Sequence, residues 1–119
     1  MGNARKRLGD AGESAAADWY AHQGYEIVAR NWRCRDGEID LIVVRGGELV
    51  ISEVKTRSSV AFGSGAEAVD WRKQQRLRRL AGRWITECCA SAPRSIRVDV
   101  GAVLAPSGIL TIEVIEGAF

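Results

Sequence analysis

Between residues 38 and 55 the chain carries two β-rich runs, Glu38-Ile-Asp-Leu-Ile-Val-Val-Arg45 and Glu48-Leu-Val-Ile-Ser-Glu-Val-Lys55, joined by Gly46-Gly47. Two glycines there fit a two-residue type I′ turn, which needs positive φ at both central positions. Upstream, helical spacing of apolar residues predicts a helix from about Leu8 to Gln23, ended by Gly24, and then a strand from Tyr25 to Arg33 that Asp36-Gly37 turns into the hairpin. Downstream, Thr56 to Gly65 reads as a glycine- and serine-containing loop, and Asp70 as the N-cap of a second helix that reaches about Ala90 and is closed by Pro93. Two last strands, Ile96 to Leu104 and Ile109 to Ile115, are joined across Pro106-Ser-Gly108. The order helix, three strands, helix, two strands predicts an α/β sandwich. With no repeat or linker, residues 1–119 read as one domain.

The hairpin also carries the candidate chemistry. If Arg45 pairs with Glu48, the register places Asp40 opposite Glu53 and Glu38 opposite Lys55, all four on one face. Ile42, Ile51, Val44 and Leu49 extend that face, while Ile39, Val43, Val50 and Val54 occupy the other, so both faces of the hairpin are covered. Two carboxylates with Cβ atoms roughly 5 Å apart repel each other unless something positive lies between them, and a divalent metal ion is the economical candidate.

Each helix adds a feature. On the first, Glu13 falls inside the apolar arc of Ala16, Ala17 and Tyr20, where small neighbours permit a close approach to the sheet and a third acid could reach the metal. On the second, Leu77, Leu80, Ala81, Trp84, Ile85 and Cys88 form the apolar stripe, and Arg72, Arg76, Arg79 and Arg83 line a neighbouring face. With no nearby acids to pair with, such a ridge matches a phosphate backbone better than a solvated face. Lys73 falls among the apolar positions and is expected to point at the sheet.

Composition narrows the setting. Seventeen Lys and Arg against fifteen Asp and Glu give a net charge of +2, too small to name a partner. No apolar run is long enough for a membrane span or a secretion signal, and Cys34, Cys88 and Cys89 fit reduced thiols better than a disulfide framework, so a cytoplasmic protein is expected. A single histidine, His22, argues against zinc. Only Lys6, Lys55 and Lys73 are lysines, and two of the three fall at the suspected site.

An acid on one strand followed by Glu-x-Lys on its neighbour, here Asp40 and Glu53-Val54-Lys55, is the general pattern of the PD-(D/E)xK nuclease superfamily. The surrounding residues closely resemble the YraN-like UPF0102 family, considered similar to Holliday-junction resolvases. They include Gly9-Asp-Ala-Gly12-Glu13, Arg30-Asn31-Trp32-Arg33-Cys34, Gly37-Glu38-Ile39-Asp40-Leu41, Glu53-Val54-Lys55-Thr56-Arg57, Phe62-Gly63, Lys73 with its arginine-rich helix, and Arg97-Val98-Asp99-Val100. The resemblance implies a restriction-endonuclease-like α-β-β-β-α-β-β sandwich with a mixed central sheet. It places the superfamily's metal acids on Asp40 and Glu53, its lysine on Lys55, and the helix-one acid of resolvase-like members on Glu13. Ile39 stands where the superfamily pattern has proline, and Ser52 where a larger apolar residue is common; neither removes a ligand.

The implied function is metal-dependent hydrolysis of phosphodiester bonds in DNA, branched or flapped, with Mg²⁺ or Mn²⁺ as cofactor. Asp40, Glu53, Lys55 and Glu13 would be catalytic, and Arg57, Arg72, Lys73, Arg76, Arg79 and Arg83 would bind nucleic acid. A junction-cutting enzyme would act as a symmetric homodimer, since two strands must be cut at related positions. Two alternatives remain open: a nucleic-acid-binding module that keeps the fold without cutting, and a protein-interaction subunit using the exposed part of Trp71 and the arginine ridge.

Overall fold

The computed structural model describes residues 3–57, 71–88, 92–104 and 110–117, with side chains given from residue 7 onward and not for residue 57. Helix α1 (Asn3–His22) is followed by β1 (Glu26–Cys34), β2 (Gly37–Arg45), β3 (Glu48–Arg57), α2 (Trp71–Cys88), β4 (Ser95–Leu104) and β5 (Thr111–Ile115). The strands form one sheet in the order β1-β2-β3-β4-β5, parallel between β3 and β4 and antiparallel elsewhere. The α-β-β-β-α-β-β order and mixed five-stranded sheet are consistent with a restriction-endonuclease-like fold. The expected N-cap at Asp70, the loop to Gly65 with Phe62-Gly63, the Pro106-Ser-Gly108 turn and Cys89 lie outside the described residues.

The helices cover opposite faces of the sheet. Ala16, Ala17 and Tyr20 of α1 pack with Tyr25, Leu41, Val43 and Val50, whereas Leu77, Leu80, Ala81 and Trp84 of α2 pack with Ile39, Ile42, Leu49, Ile51, Val98 and Val100. Between β3 and β4 the chain must cross over to run parallel, and α2 lies in that crossover. Close contact between α1 and β3 depends on Gly12 more than on the alanines: a Cβ there would lie 1.9 Å from Thr56 Oγ1. Only glycine lets the helix backbone come so near.

The hairpin register is as expected near the turn. Gly46 and Gly47 have φ of 57° and 83°, Arg45 pairs with Glu48, and the pairing continues to Leu41 and Ser52. One step further it changes character. Ile39 packs on the α2 side and Leu41, two residues on, packs on the α1 side, which an unbroken period of two forbids. The same switch occurs on β1, where Trp32 packs on the α2 side and Arg30 reaches Ser14 of α1. The break falls at Asn31, with φ of 50°, and at Asp40 beside it; the β1–β2 pairs step from Trp32↔Ile39 to Arg30↔Leu41 across them. The expectation that Ile39 lies on the face away from the acids is therefore corrected. Asn tolerates the left-handed conformation better than most residues, which allows the bend.

A polar network crosses the α1 face. Asp99 is fully buried and accepts hydrogen bonds from the Tyr20 hydroxyl (2.7 Å), the Arg97 guanidinium (2.8 and 3.0 Å) and Gly117 N–H (2.9 Å). Tyr20 also hydrogen-bonds Ser52 Oγ (3.0 Å), which gives a reason for a small hydroxyl at position 52. Burial pushes the Tyr20 phenol well above its ordinary pKa, so its proton stays on the ring oxygen. The hydrogen bonds to Asp99 outweigh partial burial and hold Arg97 charged. A buried carboxylate is stable in such a place only because every side of it is engaged.

Candidate functional site

The bend at Asp40 gives its side chain a task a regular rung would not. Instead of continuing the backbone ladder, Asp40 Oδ2 accepts a hydrogen bond from Val54 N–H (2.9 Å). Asp40 and Glu53 then share one cleft of about 170 Å³, lined also by Gly37, Glu38, Lys73, Arg76 and Leu77. Glu53 is 6% exposed, and its Oε1 receives Lys55 Nζ at 3.2 Å and Lys73 Nζ in direct contact. Lys73 points at the sheet, as its position on the helix implied.

The electrostatics of the cleft are those of crowded acids. The Asp40 pKa is pushed up to about 7, first by burial and next by the charge of Glu53, which together outweigh the opposing Val54 hydrogen bond; Glu13 and Glu38 add smaller upward contributions. Lys73 moves so as to keep its charge: burial works against it, but its contact with Glu53 and the Asp40 charge outweigh that. An ammonium held in this way serves as a fixed positive charge rather than as a base.

Glu13 approaches from α1, and Asn31 Nδ2 donates to its Oε2 (2.9 Å). Asn31, the residue at the β1 bend, thus also aims the helix-one acid; an isolated Asn within a strand was the sequence signal for it. Glu38 bonds Arg33 (3.0 Å) instead of Lys55, so Lys55 is held by Glu53, two residues away on its own strand. Among the described residues no three His, Cys, Asp or Glu side chains converge as a ready metal cage. Two carboxylates nevertheless suit Mg²⁺ or Mn²⁺, which bind through one or two carboxylates and keep water or phosphate in their other positions. Among the described residues Asp40 Oδ1 and Glu53 Oε2 accept no hydrogen bond, which leaves one oxygen of each for a cation.

The arginine ridge divides in two. Arg83 is committed to Asp36 (3.0 Å) and Glu87 (3.3 Å), so acids do lie beside the ridge at that end. Arg72, Arg76 and Arg79 are exposed and form no ion pair among the described residues. Arg76 also lines the acidic cleft, which joins the ridge to the carboxylates. The side chain of Arg57 lies outside the described residues.

Comparison with known proteins places this chain in a family. Residues 12–103 match the family described as "Uncharacterised protein family UPF0102". The chain belongs to the UPF0102 family. Its relatives include UPF0102 proteins of Frankia casuarinae, 51% identical over 117 residues that span 98% of both chains, and of Frankia alni, 50% identical over 117 residues that span 98% of this chain and 97% of the relative. A UPF0102 protein of Moorella thermoacetica is 48% identical over 117 residues, 97% of each chain. The UPF0102 match begins at Gly12, the close-approach glycine, and takes in Glu13, Asn31, Asp40, Glu53, Lys55, Lys73 and Asp99. Among the described residues no helix is long and apolar enough to cross a membrane.

Proposed function

We propose that this UPF0102 protein is a metal-dependent phosphodiester hydrolase acting on nucleic acid, with Asp40 and Glu53 as ion-holding carboxylates and Lys55 as the catalytic ammonium. The observation that carries the reading is the convergence of Asp40, Glu53 and Lys73 at one cleft, with Lys55 held on Glu53 and with Arg76, which forms no ion pair among the described residues, in the cleft wall. A buried and a half-buried carboxylate sharing one cleft are a poor design for stability alone and a good one for a cation that binds phosphate. Bound there, Mg²⁺ or Mn²⁺ supplies charge neutralisation on a phosphate and makes water a better nucleophile at neutral pH. Asp40 and Glu53 orient the site, and Val54 N–H fixes the Asp40 carboxylate. Lys55 positions the attacking water or stabilises charge developing on the phosphate oxygens, and Lys73 offsets that charge from the helix side. Glu13, aimed by Asn31, adds negative potential rather than a third ligand of a closed cage.

A module that binds nucleic acid without cutting would use the same ridge, and it draws support from the two lysines that already neutralise Glu53. The deciding experiment is a cleavage screen over branched, flapped, single-stranded and linear DNA with Mg²⁺ and Mn²⁺, comparing the parent with Asp40→Ala. Metal-dependent cutting lost in the variant supports the hydrolase; a parent that cuts nothing gives the binding module its place.

The ridge has its own measurable consequence. Replacing Arg72 and Arg79 together should flatten the slope of log affinity against log salt on duplex DNA by up to about two units, because each released phosphate contact contributes about 0.9. Arg83→Ala should change it less, since Asp36 and Glu87 already hold that guanidinium. An unchanged slope in the double variant would remove the ridge from the interface.

A further inference from the structure

We propose that the hollow next to the acidic cleft seats an unpaired base stacked on Trp71, so that the substrate is nucleic acid with a single-stranded segment beside the phosphate presented to Asp40 and Glu53. This rests on the hydrolase reading and narrows its substrate class. Four tryptophans are present, and three pack inward: Trp84 is in the α2 core, and Trp19 and Trp32 are half-buried against the two cores. Trp71 alone is 68% exposed, at the first residue of α2.

Its surroundings are not those of an apolar docking face. Trp71 lines a hollow of about 350 Å³ together with Arg72, Gln75, Arg76 and Arg79, at the low end of the roughly 300–1,000 Å³ typical of small-ligand pockets. One exposed indole among three guanidinium groups and an amide is the composition that holds single strands: cations follow the backbone, and an aromatic face accepts a base of any sequence. A protein partner seated there would leave three arginines to be matched by acids around a single apolar anchor.

Position on the helix turns composition into a path. At about 100° per residue, Lys73 shares the buried stripe with Leu77 and Leu80, Arg72, Arg76 and Arg79 follow on its flank, and Trp71 with Gln75 lies beyond them. Arg76 lines both the acidic cleft and the Trp71 hollow. A strand whose phosphate lies in the cleft therefore passes over Arg76 and brings its next bases to the indole. Duplex DNA keeps its base faces stacked on one another and has none to offer. Gln75 can hydrogen-bond the edge of a base that does arrive.

The test uses the full chain in EDTA, so that binding is read apart from cleavage. Oligothymidylate should quench the tryptophan fluorescence, and a duplex of equal length should not. Trp71→Ala should lose that quench and about five- to a hundredfold in affinity for oligothymidylate, the scale of one stacked base, while duplex affinity stays within about twofold. Trp71→Phe, which keeps an aromatic face, should keep most of the affinity. The proposal is overturned if Trp71→Ala binds oligothymidylate as the parent does, if it loses both substrates equally, or if Phe rescues nothing. A parent that stacks a base on Trp71 but never cuts supports this inference while removing the hydrolase. A parent that cuts, with Trp71→Ala cutting and binding alike, removes this inference and leaves the hydrolase standing.

Discussion

Lys55→Ala is expected to slow single-turnover cleavage by about a hundredfold or more while leaving Mn²⁺ binding intact. Lys55 Nζ lies 3.2 Å from Glu53 Oε1, and Lys73 reaches the same oxygen, so removing Lys55 leaves Glu53 still accompanied by a cation. The variant loses a competitor for the carboxylate and no ligand, and its ion affinity should be equal to or above the parent's. Glu53→Gln is the opposite case: a neutral amide neither balances a divalent charge nor replaces a carboxylate ligand, and ion binding and cleavage should disappear together. Glu13→Gln should fall between them, because Glu13 acts on Asp40 through its charge and is held by Asn31. Isothermal titration with Mn²⁺ and single-turnover cleavage of a flap substrate, run on all three variants, separate these roles. Cleavage by Lys55→Ala at the parent rate would show that Lys55 serves only as a structural partner of Glu53, and the catalytic assignment would fail.

The hairpin was legible in the sequence because its determinants are local. Gly46 and Gly47 take the positive φ that a tight turn requires, and the turn fixes every pair from Arg45↔Glu48 to Leu41↔Ser52. The element order followed from periodicity and punctuation for the same reason. What escaped was the end of the ladder, since a period of two assumes that the strand does not bend. The bend needs a partner bend on β1 at Asn31, and nothing local to Asp40 announces it. A register extended past the break sets Lys55 opposite Glu38, whereas Arg33 takes Glu38 and Lys55 turns to Glu53 on its own strand. For Arg83, the Glu87 partner at i+4 was readable, but Asp36 comes from the far side of the sequence. Arg97 and Asp99 stand in the sequence only as part of a family-like stretch; the tertiary arrangement of Tyr20, Arg97 and Gly117 shows why Asp99 can be buried.

In EDTA near neutral pH, Asp40→Asn should melt several degrees above the parent, and added Mg²⁺ or Mn²⁺ should reverse the order. Asparagine keeps an oxygen for Val54 N–H, so the backbone contact survives the change, while the repulsion among Asp40, Glu53, Glu13 and Glu38 is relieved. The sign with pH follows from the burial of Asp40 and, after it, the same crowding. The Asp40 pKa rises from 3.8 in the free residue to about 7 in the folded chain, so the native state holds this proton more tightly than the unfolded state does. Protonated Asp40 therefore favours folding fully below about pH 4, and that contribution is lost as pH rises towards 7, at ~1.4 kcal/mol per unit of displaced pKa. The metal-free parent should lose stability relative to Asp40→Asn between those limits, by about 1–4 kcal/mol in all. A divalent ion reverses the balance by binding the ionised pair, and it stabilises only the chain that has both carboxylates. Thermal melts of both proteins at about pH 5 and pH 8, with EDTA and with each ion, give the comparison. If the parent ignores divalent ions and Asp40→Asn is the less stable protein in EDTA, Asp40 is a structural acceptor for Val54 and not half of an ion site.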